Sequence, residues 1–124
     1  MFISGGGGPN EQVINDCYTC IISTNTLVHK ENMNDPRADH GLLKVAQKVF
    51  AFGGADNDCE AMKSAEVYDF VKNSWNNLPE MPQAGDYVTC VRVKNQILLS
   101  SLLFRLMSYD IDKEAYSYVG NYDK

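Results

Sequence analysis

The chain is short of positive charge: 11 Lys and Arg stand against 16 Asp and Glu, a formal net charge of −5 at pH 7. Affinity for phosphate backbones needs a surplus of cations, so a nucleic-acid ligand is excluded. Long apolar runs are lacking as well. Ile97 to Met107 is the longest, and Ser100, Ser101 and Arg105 interrupt it. It falls below the roughly 18 apolar residues that mark a membrane span. The first residues, MFISGGGGPNE, carry no basic region ahead of an apolar one and do not read as a secretory signal. The expectation is a cytoplasmic protein with no nucleic-acid and no membrane partner.

The four cysteines are poorly spaced for metal. Cys17 and Cys20 form a C-x-x-C pair, which suits half a zinc site or a redox couple. Zinc needs a second ligand pair, and Cys59, Cys90, His29 and His40 supply neither C-x-x-C nor H-x-x-x-H. A redox motif needs a helix start after the first Cys, whereas CYTCIIST is β-branched and aromatic. The four thiols therefore read as reduced core or loop residues, and neither a metal nor a cofactor is expected. The remaining composition, 44% hydrophobic and 22% charged over 124 residues, is that of one folded domain.

What the chain does have is a repeat. Gly5-Gly6 closes MFISGG as Gly53-Gly54 closes VFAFGG, at an offset of 48 in the numbering. The same offset lays Asn25-Thr26-Leu27 on Asn73-Ser74-Trp75, Met33 on Met81, and Leu42–Val45 on Cys90–Val93. It also lays Val49-Phe50-Ala51 on Ile97-Leu98-Leu99, where a third copy begins. The copies run 1–48, 49–96 and 97–124, and a period of this length built from short strands points to propeller blades. A phosphate cradle at Gly53-Gly54 is disfavoured, because the ADNDCE that follows would repel an anion and no Lys-Ser/Thr pair appears.

Within a copy the residues read as a four-stranded meander. Val49 to Phe52 carries bulky residues on both faces, a strand buried on both sides. SAEVYDF (64–70) alternates with period two, Asn73 suits a left-handed turn, and SWNNL (74–78) is the outer strand. Tyr87 to Lys94, a turn at Asn95, and Gln96 to Ser100 follow as a hairpin. The total is about eleven strands. The rival for Ile97 to Met107 is an amphipathic helix, since its leucines also recur at three and four.

These residues resemble the Kelch repeat. Phe52-Gly53-Gly54, Glu66-Val67-Tyr68-Asp69, Asn73-Ser74-Trp75 and Leu78-Pro79-Glu80-Met81-Pro82 follow that family's blade motif in order. The first copy keeps Gly5, Gly6, Pro36-Arg37 and His40-Gly41, with Cys20 and Leu27 in the Tyr and Trp places. The third keeps Tyr109-Asp110 and Tyr116, but Ser101-Leu102 replaces the glycines and its middle loop is shorter by seven. The resemblance implies an all-β fold: a partial Kelch-type β-propeller of two full four-stranded blades plus an incomplete leading blade. It further implies a piece of a larger ring, completed by blades from a longer chain or another subunit, or else a decayed copy. Tyr68 and Trp75 would pack on an adjacent blade, and glycine would serve where the second strand turns sharply.

The function implied is protein–protein interaction, not catalysis. Several members of the family are substrate receptors of cullin-based ubiquitin ligases beside a BTB domain, and a minority are oxidases, isomerases or lyases. The loops Gly7–Asp16, Lys30–Asp39, Ala55–Lys63 and Pro79–Asp86 are long and unequal, as recognition loops are, whereas the opposite turns are short. Candidate partner contacts are Arg37, Asp39, Asp56, Asn57 and Tyr87, with Arg37 pairing a carboxylate and Tyr87 giving an aromatic contact. The alternatives are plain. These five can be ordinary solvated loop residues, and His40 can be a packing residue or a functional group. Asp56, Asp58 and Glu60 resemble half a calcium loop but lack its further ligands, so a solvated loop is preferred.

Overall fold

The computed structural model describes residues 1–8 and 12–119. It holds eleven strands: β1 (Phe2–Ser4), β2 (Cys17–Ile21), β3 (Thr26–Lys30), β4 (Gly41–Val45), β5 (Lys48–Phe52), β6 (Ala65–Asp69), β7 (Ser74–Asn77), β8 (Thr89–Val93), β9 (Gln96–Ser100), β10 (Met107–Asp110) and β11 (Ala115–Tyr118). They form three antiparallel sheets in meander order, β1-β2-β3, β4-β5-β6-β7 and β8-β9-β10-β11. These are one three-stranded and two four-stranded blades.

The helix reading of 97–107 fails. Ile97 and Leu99 sit in β9 opposite Tyr109 and Met107 of β10, and a bend at 101–106 separates the two strands. Two flanking strands, β8 and β10, take the backbone hydrogen bonds of β9, and its alternate side chains enter the core. Among the described residues the only helical segment is a single 3-10 turn at Ile22–Thr24.

The blades stack through β5 and its equivalents. Val49 and Ala51 point into a core shared with the first blade, where they meet Cys17, Met33, Tyr68 and Trp75. Phe50 and Phe52 point the other way, toward Ile97, Leu99, Met107 and Tyr109. A strand buried on both faces reads as an unbroken apolar run, as VFAF does. Each blade's aromatic pair packs back on the blade before it. Tyr68 and Trp75 lie 5.2 and 6.1 Å from the Phe2 ring, and Tyr109 and Tyr116 lie 5.5 and 6.4 Å from Phe52. The hydrogen bonds repeat too: Trp75 Nε1 donates to Glu31 O (2.9 Å), and Tyr116 Oη donates to Pro79 O (2.7 Å), one full repeat beyond Glu31.

Left-handed residues recur from blade to blade. Asn25, Asn73 and Glu114 occupy one turn position, Ala46 and Lys94 a second, Asp39 and Tyr87 a third, all with φ between 48° and 55°. Tyr87 therefore stands outside the strand expected to begin with it, because a left-handed residue cannot continue β pairing into Thr89.

Candidate partner-binding face

Strand register sorts the connections to two ends of the blades. Gly41 pairs with Phe52, and Phe52 with Ala65, so residues 53–64, the preceding 31–40 and the following 78–88 leave at one end. The tight turns at 46–47, 70–73 and 94–95 leave at the other.

The long loops are tied to one another. Gly6 N donates to Arg37 O and Gly54 N to Gly85 O, both at 2.8 Å, so each glycine pair hooks the loop that leads into the next blade. A Cβ on Gly53 would lie 2.6 Å from Gly85 O, and one on Gly54 would lie 2.5 Å from Ala38 O. Both residues also have φ in the left-handed half of the map, +59° and +104°. Ala38 and Ala55 exchange backbone hydrogen bonds of 3.1 and 2.8 Å, and Val13 N donates to Asn57 Oδ1 at 2.6 Å. The loop end is thus a cross-linked platform on rigid blades.

Arg37 is a correction to the expected contact set. It is 0% exposed, so it presents nothing to a partner. Its carboxylate lies within the chain: Nη2 meets Glu66 Oε2 at 2.8 Å and Ser64 Oγ at 3.1 Å, while Nη1 donates to Gly53 O and Ser64 O at 2.8 and 3.0 Å. Glu66, equally buried, also accepts from Asn34 N and Asp35 N at 2.7 and 3.2 Å. Two buried charges persist here because each is paired and nearly all their polar atoms are used. The pair pins the loop entering the second blade to β6. Glu66 holds a polar place in the alternation of 64–70, yet it faces inward because Arg37 waits there.

The other four candidates lie at the loop end with different freedom. Asp39 and Tyr87, equivalent positions one repeat apart, are both exposed and left-handed; Tyr87 is 59% exposed. Asp39 O accepts from Val88 N at 3.1 Å, which fixes its backbone. Asp56 is half-buried, and its Oδ1 accepts from Asp58 N and Glu60 N at 2.9 and 3.0 Å, closing a tight loop through left-handed Cys59. Asn57 is exposed but lends its carbonyl to Val13, as above. The four therefore divide into two pointers, Asp39 and Tyr87, and two loop braces, Asp56 and Asn57.

One pair escaped sequence reasoning. Ser4 Oγ and His40 Nε2 are 2.9 Å apart where the first two blades meet. Burial, and secondarily the Arg37 guanidinium, lowers the His40 pKa from 6.5 to about 4, and its Nδ1 is buried without a hydrogen-bond partner among the described residues. A histidine so weakly basic, with no carboxylate orienting its second nitrogen, does not activate a serine near neutral pH. The geometry is that of packing. Nothing in the repeat signals it, because Ser4 and His40 align with Phe52 and Val88. The thiols are free; Cys17 is buried and Cys59 exposed. Burial pushes Cys17 up to about 11 and Cys90 to about 12, which makes both poor nucleophiles. Among the described residues no group of three or more His, Cys, Asp or Glu is placed to hold a metal ion, and no helix is long and apolar enough to cross a membrane.

Meandering sheets that pass an aromatic pair back to the preceding sheet and hook the next loop with two glycines define blades of a propeller. Residues 36–82 match the Kelch motif, and the chain belongs to the Kelch-repeat family. It is 33% identical over 92 residues to Kelch-like protein 7 of Rattus norvegicus, covering 74% of this chain and 16% of that protein. It is 30% identical over 92 residues to Kelch repeat and BTB domain-containing protein 2 of Ectromelia virus (strain Moscow), covering 73% of this chain and 16% of that one. Over 129 residues, 96% of this chain and 21% of the relative, it is 26% identical to Kelch repeat and BTB domain-containing protein 8 of Homo sapiens. The chain thus spans about a sixth to a fifth of the length of these relatives.

Proposed function

We propose that the chain is a non-enzymatic protein–protein interaction module, part of a larger propeller, that grips a protein partner with the loop end of its blades. The observation that carries this reading is the pairing of Asp39 and Tyr87. Two exposed side chains stand on fixed left-handed residues at equivalent places, within loops cross-linked by the glycine hooks. Preorganised exposed residues bind at low entropic cost. Asp35, Asp39, Asp56, Asp58, Glu60 and Asp86 share these loops, so the complementary partner surface is rich in cations or hydrogen-bond donors. The relatives whose printed names pair Kelch repeats with a BTB domain favour a finer version, substrate recognition within a ubiquitin ligase adaptor in the cytoplasm.

The test is quantitative capture of cellular proteins on wild type and two variant classes, each with an unchanged melting temperature. Asp39→Lys and Tyr87→Ala alter the loop end; Lys72→Glu and Lys113→Glu alter the turns at the opposite end. One set of proteins should be lost with the first class and retained with the second. The reverse pattern would sink the reading. Copper, zinc and calcium form a second arm. A saturating site would stabilise the protein by about 2.7 kcal/mol at a hundredfold excess over Kd, and a shift of that size abolished by His40→Ala would favour an enzyme instead.

A further inference from the structure

The two seams between blades can be compared position by position. At the turn end of the first seam Phe70 fills the space, its ring 5.0 Å from Tyr68 and 5.7 Å from Phe2, and the Tyr68 hydroxyl donates to Asn73 Oδ1. In the second seam, where Tyr109 is the counterpart of Tyr68, Ile111 stands in the place of Phe70 and Glu114 in that of Asn73. The aromatic body is gone, and a cleft of about 580 Å³ opens there, walled by Val45, Phe50, Val67, Tyr109 and Ile111. Lys48, Asp112 and Glu114 also line it. Tyr109 is fully buried, and its hydroxyl has no hydrogen-bond partner among the described residues.

From these two replacements we infer a ligand site: the cleft takes a small aromatic ammonium compound, its ring in the space that Phe70 fills in the other seam. Its ammonium group pairs with the Glu114 carboxylate, which stands at the mouth where the first seam has Asn73. The volume falls in the range of small-molecule pockets, about 300–1,000 Å³. Two carboxylates, Glu114 and Asp112, against one Lys48 favour a cation over an anion, although Asp112 Oδ2 already accepts from Asn95 Nδ2. Burial, and after it the Glu114 and Asp110 carboxylates, pushes the Tyr109 phenol up to about 12, so it stays a neutral wall beneath the ring. Most of the residues that line the cleft flank the short turns, and Leu78, at the start of the 78–88 connection, closes its far side.

The probe is 2-phenylethylamine, titrated into the full chain and followed by backbone amide chemical shifts, with 3-phenylpropionate as the anionic control. The amine should shift residues 45–48 and 111–114 saturably, and the acid should not. Glu114→Gln should weaken binding about tenfold. The variant Ile111→Phe/Glu114→Asn rebuilds the first seam's pattern; it should melt higher than wild type and lose the response. No saturable shift in wild type, an equal response to the acid, or a response surviving in the rebuilt seam would each overturn the proposal. So would loss of melting temperature in Glu114→Gln with no amine response, which would mean that Glu114 itself partners Tyr109.

Discussion

Replacing Trp75 by Ala removes the largest side chain from the first seam. The indole is only 7% exposed, packed 5.4 Å from the Tyr68 ring and 6.1 Å from Phe2. A buried Trp takes about 200 Å² out of water. At about 25 cal/mol per Å² that is about 5 kcal/mol, an upper figure because the unfolded chain already hides some of that area. Measured truncations of this kind cost about 3–5 kcal/mol. The lost hydrogen bond adds little, since Glu31 is exposed and water replaces the indole at its carbonyl. Against the roughly 5–15 kcal/mol that holds a whole domain together, Trp75→Ala should leave the chain largely unfolded at room temperature. Leu27, its equivalent in the leading blade, is 60% exposed, so Leu27→Ala should change stability by no more than about 0.5 kcal/mol. Urea unfolding followed by far-UV circular dichroism measures both, with the wild-type indole shielded from iodide quenching. A Trp75→Ala variant within about 1 kcal/mol of wild type would refute the seam as the seat of stability.

Two more expectations follow from buried charge. Arg37→Met or Glu66→Leu alone should cost about 3–5 kcal/mol by stranding the other ion, and the double variant should recover part of that loss in a double-mutant cycle; full additivity would mean that the pair is not coupled. His40 is held neutral, with its pKa lowered from 6.5 to about 4, so the unfolded chain binds the extra proton between those values. Stability should therefore fall as pH drops through that window, by at most about 3 kcal/mol from this group, and urea midpoints at pH 7 and pH 4.5 should differ less in His40→Gln than in wild type; identical pH dependence would exclude His40 as the cause.

The repeat is what made the fold legible. Glycine pairs and asparagine turns recur at an offset of 48 between the first two copies, an aromatic pair returns in the third, and each recurrence marks a backbone or packing requirement of the blades that share it. Glycine is needed where a Cβ would strike the next loop, and Asn73 where φ is positive. The shortened loop of the third copy was visible in the same way, because Tyr109 follows Tyr68 at an offset of 41 where the period gives 48. The candidate site was less legible. Exposure of a loop residue depends on which side chains it finds across space, and sequence spacing does not report that. Arg37 looked available because its tightest partner, Glu66 at 2.8 Å, lies far along the chain on β6; the neighbouring Asp35 makes only a longer contact of 3.6 Å.

The departures from periodicity carry the individuality of the chain. Position 66 is Glu in the second blade, and its equivalent in the third is Met107; position 37 is Arg, and its equivalent is Gly85. Where the second blade pins its entry loop with a buried ion pair, the third fills the same region with Met107 and Phe104, whose ring would lie 2.5 Å from a Cβ on Gly85. The two solutions have different chemistry. The ionic one satisfies the backbone donors of Asn34 and Asp35 as well as each charge, so it holds the loop conformation as well as packing it. The apolar one has no ion pair; side-chain hydrogen bonds from Ser101 Oγ to Asp86 O and from Gln83 Nε2 to Leu103 O, both 2.7 Å, tie it to a shorter loop at 101–106 that leaves Leu102 and Leu103 in solvent. Sequence divergence at a few seam positions, with one shortened loop on a common meander of strands, is therefore enough to make each loop cluster and each cleft distinct, and a repeated scaffold acquires particular sites in this way.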